Sequence, residues 1–317
     1  MAELNGELYA ELMAFLKTEG MRFDLPPGYS DFVLRQRVGE ERFQAFCRTM
    51  DDVRDGIRPI HDGYAQFQSV QDANTLMSAQ ANALLACNVG TIEVSGVLAL
   101  ESGRVGELGC YSGSVLRQLA QRKPQVRFIG FDRLPDLLDA ALTIAPPNCD
   151  FQVWDYQSSP RVEEPKFDAL FGTFCIDFDV HEEAETEAEV NALETDRIVA
   201  ACVDAFAHWR GVVKDGGRCT VALRLGTVHA FSGACQAAWL TGWGVDFERS
   251  CIVNGGGEQF PVLSMVAGAP QQPTNARLDE IVRGWKRMHT DMLTTPRIGA
   301  PLRSSFQKRA RKKTKSR

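Results

Sequence analysis

Several signatures that would settle a function early are missing from this 317-residue chain. Its nine cysteines (Cys47, Cys87, Cys110, Cys149, Cys175, Cys202, Cys219, Cys235, Cys251) are dispersed, with no C-x-x-C pair and no histidine at metal-ligand spacing. A structural zinc and a disulfide framework are therefore not expected. The cysteines read instead as small buried hydrophobes in a reducing compartment. No uninterrupted apolar run approaches the roughly 18 residues that cross a bilayer. The opening Met1-Ala2-Glu3-Leu4-Asn5-Gly6-Glu7 is acidic where a secretion signal is basic. No membrane span, no metal and a cytoplasmic location are the expectations. Internal repeats of solenoid period are absent, and so is the G-x-G-x-x-G fingerprint of dinucleotide-binding folds. Charge is close to balanced, 35 Lys and Arg against 41 Asp and Glu for a net −6, in a chain that is 44% hydrophobic. That is an ordinary globular composition, long enough for one large domain or two smaller ones.

What is present falls into three segments. Residues 1–87 carry helical spacing, with Leu4, Leu8, Leu12, Phe15 and Leu16, and then Phe43, Phe46 and Met50, at three- and four-residue steps around Pro26-Pro27-Gly28. They are expected to form a helical cap. Residues 88–269 alternate short apolar strands with helical stretches, the pattern of βαβ units around a mostly parallel sheet. Strands are expected near residues 105–108, 126–131, 151–154, 168–171 and 218–225, the last after a turn at 214–217. Two more, at 245–253 and 260–267, are joined closely enough to pair antiparallel. Residues 270–317 form an extension in which 297–317 hold nine basic residues and no acid.

The chemistry concentrates where strands end. Glu107-Leu108-Gly109-Cys110-Tyr111-Ser112-Gly113 closes a strand in a carboxylate, passes through a glycine turn and opens a helix. An acid at that place repels a pyrophosphate and suits a cationic ligand. Asp132 ends the second strand, where a carboxylate can accept hydrogen bonds from a ribose diol, with Arg133 beside it. Asp155 and Tyr156 follow the third strand, where an acid can accept from an exocyclic amine while neighbouring rings pack on a base. Three acids at three successive strand ends fit a nucleoside that bears a positively charged arm.

This arrangement resembles the class I S-adenosylmethionine-dependent methyltransferases over about residues 100–268. Glu107 to Gly113 looks like their first motif, with Tyr111 in place of its usual middle glycine. Phe167-Asp168-Ala169-Leu170-Phe171-Gly172-Thr173 and the residues as far as Asp177 resemble the fourth-strand motif that borders the methyl group. The final hairpin is similar to the family's reversed last strand. The resemblance implies a Rossmann-like, seven-stranded sheet, mostly parallel with its last strand antiparallel, below the helical cap. It implies S-adenosylmethionine as cofactor, held by Glu107, Gly109, Tyr111, Gly113, Asp132, Arg133, Asp155, Tyr156, Gly172 and Thr173. Methyl transfer needs a base only where the acceptor must lose a proton early, and Asp177 and His181 are the candidates, in an alternating stretch that puts both on one face when extended. Tyr64, Phe67, Gln68 and Met77 are read as a lid or as core, and Trp239 and Trp243 as pocket or packing. A small-molecule acceptor is expected, methylated on oxygen or nitrogen, because an acidic body with capping helices favours an enclosed ligand over a polyanion. RNA methylation anchored by Lys308–Arg317 and a non-catalytic binding protein of the same fold are the alternatives; a nicotinamide oxidoreductase is disfavoured by Glu107.

Overall fold

Leu4, Leu8, Leu12 and Leu16, four residues apart, share one buried face at helix α1 (Gly6–Thr18). The Asn5 side chain caps it by accepting the Leu8 amide at 3.1 Å. The computed structural model to which it belongs describes residues 3–23, 25–26, 28–157, 159–161, 166–176, 187–225, 227–268 and 275–295. Helices α2 (Tyr29–Val38), α3 (Glu40–Arg54), α4 (His61–Tyr64) and α5 (Val70–Leu76) follow. A 3-10 turn at Met77–Gln80 leads into α6 (Ala81–Ser95), which is mostly apolar and largely buried, Leu85, Val89 and Ile92 fully so. Gly90 lets α6 lie close on the sheet, since a Cβ there would sit 2.5 Å from a Val253 methyl. Residues 87 and 88, the expected edge between cap and core, fall inside this one helix.

The sheet is built from β1 (Gly103–Leu108), α7 (Ser114–Arg122), β2 (Val126–Asp132), α8 (Pro135–Leu142), β3 (Cys149–Val153), β4 (Phe167–Thr173), α9 (Glu187–Val212), β5 (Val213–Ala222) and α10 (Val228–Leu240). It is completed by β6 (Trp243–Val245), β7 (Cys251–Gly255), β8 (Glu258–Ala267), α11 (Asn275–Thr290) and β9 (Leu293–Thr294). The order β3-β2-β1-β4-β5-β8-β7-β9, with β6 on the end of β8, places β4 and β5 at the centre. β1 to β5 run parallel, and β8 is antiparallel to both β5 and β7. This is the Rossmann-like arrangement expected, with two differences.

Among the described residues the sheet has nine strands, against the seven expected. The strand expected at 245–253 is split in two, because Asp246 accepts the Arg249 amide at 3.2 Å and its carbonyl the Ser250 amide at 2.9 Å, turning the chain between β6 and β7. β9 adds an edge that only a distant segment supplies. The turn expected at 214–217 is instead a bulge within β5, seen as a register shift against β4 with Gly216 at φ 76°. Trp239 and Trp243 are core, not pocket, residues: both are buried, and the Trp243 indole N–H donates to the Phe206 carbonyl at 2.9 Å. Phe67 is likewise fully buried, among Leu34, Phe43, Leu134 and Leu137. All nine cysteines are free thiols.

Candidate cofactor site

The parallel strands β1 to β4 deliver their ends to one edge of the sheet, and Glu107, Asp132 and Thr173 arrive there from three neighbouring strands. Asp155 and Tyr156 come two and three residues after the end of β3, the fourth. Crossover helices make this edge a crevice in such sheets. All ten residues expected to hold a cofactor are described and lie on it. The two expected bases do not enter the picture, since Asp177 and His181 lie outside the described residues.

Glu107 is buried, 5% exposed. Its carboxylate accepts a hydrogen bond from the Leu116 backbone amide, one of the orphan N–H groups at the start of α7, where Gly113 offers no side-chain cap. The other oxygen, Oε2, is buried and finds no partner. Burial first, and then the neighbouring Asp132 charge, push its pKa well above the usual carboxylate range. One acid therefore caps the helix behind the turn and keeps a free oxygen in the interior.

The turn itself is left-handed at three positions, Gly109 (φ 66°), Tyr111 (φ 49°) and Gly113 (φ 65°). At Gly113 a Cβ would meet the Phe151 ring at 2.3 Å, and at Gly109 it would meet the Tyr156 hydroxyl at 2.8 Å. Both glycines are thus required by packing inside the protein as well as by their φ. Tyr111 holds the same conformation against its side chain. Its backbone N–H donates to Asp132 Oδ2 at 2.8 Å, and its ring meets Tyr64 edge-on at 5.8 Å. The Tyr111 hydroxyl is buried without a partner, and its pKa is pushed well up, first by burial and then by Tyr64 and Asp132.

Asp132 takes a second backbone bond from Arg133 N–H at 2.7 Å; burial raises its pKa while these bonds oppose the rise. Each carboxylate oxygen has two lone pairs, so further acceptor capacity remains. The Arg133 guanidinium pairs with Asp155 at 3.0 Å and lies 5.8 Å from the Tyr156 ring centroid. Gly172 sits in register with Leu108, and Thr173 Oγ1 is a third buried oxygen with no partner.

A polar cluster that spacing alone did not flag ties the N-terminal helices to this turn. Asn74 of α5 donates to Ser114 Oγ at 2.9 Å and accepts from Ser112 Oγ at 2.7 Å. Glu19, just past α1, ion-pairs with the buried Arg117 of α7. The available signal was weak: polar residues at otherwise apolar helical positions, with partners about 40 and 98 residues away.

Residues 105–194 match the model of a methyltransferase domain. The chain thus carries a methyltransferase domain over that stretch. No curated protein matches it. Among solved structures, human N-acetylserotonin methyltransferase in complex with its cofactor is similar at 12% identity and TM-score 0.47, over 81% of this chain and 82% of that one. An O-methyltransferase family protein from Burkholderia thailandensis is similar at 13% identity and TM-score 0.47, over 73% and 71%. The 16S rRNA (adenine(1408)-N(1))-methyltransferase of Catenulisporales acidiphilia is similar at 14% identity and TM-score 0.39, over 57% and 92%.

The residues at this edge are of the kind that fit S-adenosylmethionine. Glu107 Oε2, Tyr111 Oη and Thr173 Oγ1 are buried oxygens at one sheet edge that lack partners, beside the half-buried Asp132 carboxylate. Orphans of that kind are costly unless something bonds them, and a ligand with an ammonium and several hydroxyls is of the chemistry to do so. Among the described residues no group of His, Cys, Asp or Glu is placed to hold a metal, and no helix is long and apolar enough to cross a membrane.

Proposed function

We propose that this methyltransferase transfers a methyl group to an oxygen or nitrogen atom of a small molecule, held at the carboxyl edge of the sheet beneath the N-terminal helices. The observation that carries this reading is a cavity of about 460 Å³ lined by Gln80 and Ala83 from the N-terminal segment, Phe174 after β4, Arg224 and Leu225 after β5, and Glu258 to Phe260 of β8. Its volume is that of a small-molecule site. Phe174 lies between Thr173 and Cys175, the latter packed on Gly109, so the cavity and the glycine turn share one short segment.

S-adenosylmethionine, when bound, supplies a methyl group activated on a sulfonium. In our reading Glu107 takes the ammonium end, Asp132 the ribose hydroxyls, and Asp155, held by Arg133, the adenine amine beside Tyr156. Gly109 and Gly113 shape the turn with Tyr111, while Gly172 and Thr173 border the methyl. The protein's task is to align the nucleophile with carbon and sulfur and to exclude water. For a hydroxyl acceptor we assign the base to Asp177 or His181. A cytoplasmic location belongs to the same reading, supported by nine unpaired thiols.

A second reading, RNA methylation, is favoured by the nine basic residues of 297–317, with Lys308–Arg317 as the anchor. Calorimetric titration with the cofactor and its demethylated product, followed by a folded RNA over a salt series, tests both. Micromolar binding of both nucleosides with RNA binding that vanishes at physiological salt is expected. Salt-resistant RNA binding overturns the small-molecule reading, and absence of nucleoside binding overturns the site.

A further inference from the structure

The cavity carries one arginine, Arg224, exposed at its rim and outside any ion pair closer than 4.0 Å among the described residues. Arg224 donates to Gln80 Oε1, and its guanidinium lies 4.4 Å from the centroid of the Phe174 ring. Among the described residues no carboxylate lies within 4.0 Å of it. One of its five N–H groups is engaged by that bond, and the guanidinium carbon lies over the face of the ring.

The platform beneath it is held under strain. Phe174 adopts a φ of 55°, and it and Tyr111 are the two non-glycine residues with positive φ among those described. Its N–H donates to the Ala222 carbonyl of β5 at 3.0 Å, and its ring packs on Phe260 at 4.9 Å. An aromatic residue kept in a costly conformation at the rim of a cavity is a mark of function. Here the conformation turns the ring out of the strand and under Arg224.

From this arrangement we infer that the methyl acceptor carries a carboxylate, received by the free edge of the Arg224 guanidinium while an apolar or aromatic body rests against Phe174 and Phe260. The inference rests on the small-molecule reading above and deepens it. A planar fork of parallel N–H groups matches a carboxylate in bidentate fashion. Glu258 on the opposing strand lines the same cavity, and its negative charge opposes a dianionic phosphate about twice as strongly as a singly charged carboxylate. One arginine facing one glutamate is likewise a poor seat for a polyanion. Gln80 comes from the turn before α6, so the N-terminal segment takes part in fixing the recognition group.

The test uses the full-length protein and three probes that share a ring: benzoate, benzamide and phenyl phosphate, titrated by NMR in the presence of S-adenosylhomocysteine. Wild-type protein is expected to bind benzoate about tenfold more tightly than benzamide, and more tightly than phenyl phosphate. Arg224→Gln should erase the preference for benzoate over benzamide, and Arg224→Lys should keep part of it. Equal affinities in the wild type, a preference for phenyl phosphate, no binding of any probe, or a preference that survives Arg224→Gln each overturns the inference. Binding of S-adenosylhomocysteine to the wild type is measured first. Its failure sinks the cofactor site itself, whereas its success without a carboxylate preference sinks only this inference.

Discussion

Glu107 has one oxygen engaged in the fold and one left over for the ligand we propose. Its pKa is raised in the folded protein, so the folded state holds a proton that the unfolded chain releases at about pH 4.5. The stability this contributes is fully present below that pH and is lost as pH rises through the folded value. Glu107→Gln should flatten the fall in stability of the ligand-free protein above pH 5, measured by thermal unfolding across pH. An ammonium placed against the carboxylate favours its charged form. Cofactor binding should therefore release a proton, visible as a buffer-dependent calorimetric enthalpy, and Glu107→Gln should abolish that release and weaken binding by about 2 kcal/mol. Tyr111 offers a complementary case, because its buried hydroxyl has no partner. Tyr111→Phe should leave the melting temperature unchanged or slightly raised, while cofactor affinity falls if the hydroxyl meets the ligand.

Helix α7 is fixed at its start from two directions, by Glu107 from the strand below and by the Asn74, Glu19 and Arg117 cluster from the N-terminal helices. Arg117 is 3% exposed on its side chain. Removing its partner leaves a buried charge unanswered, so Glu19→Gln should cost about 3 kcal/mol in denaturant unfolding. The double variant Glu19→Gln with Arg117→Met should recover much of that loss. Asn74→Ala strands Ser112 and Ser114, both buried, and should cost about 1–3 kcal/mol. Because Ser112 lies inside the glycine turn, the same variant should also weaken cofactor binding, a readout that destabilisation elsewhere in the cap does not share. Neither pair was legible from spacing. Helical periodicity reports which face of α1 or α5 is apolar, but not which distant polar group will meet it.

The molecule as a whole joins an acidic body to a basic tail. Under the small-molecule reading, deleting residues 297–317 should leave kcat and KM for the acceptor unchanged while abolishing weak, salt-sensitive RNA binding. A fall in kcat/KM on deletion would tie the tail to the reaction.

The alternation of short strands with helices, the chain order of Glu107, Asp132 and Asp155, and the glycine turn were readable in the sequence because they are local patterns set by backbone geometry and by residues a few positions apart. From them the parallel sheet followed, and with it the edge to which these acids are brought. Only the folded chain decided that Glu107 also caps α7, that Asp155 is met by Arg133, that α6 crosses from the cap onto the sheet, and that Gln80, Phe174 and Arg224 share a cavity. Gln80 and Arg224 are 144 residues apart. Which distant groups find each other depends on how every crossover packs and on where buried polar atoms find partners, a balance summed over the whole chain that no short window contains.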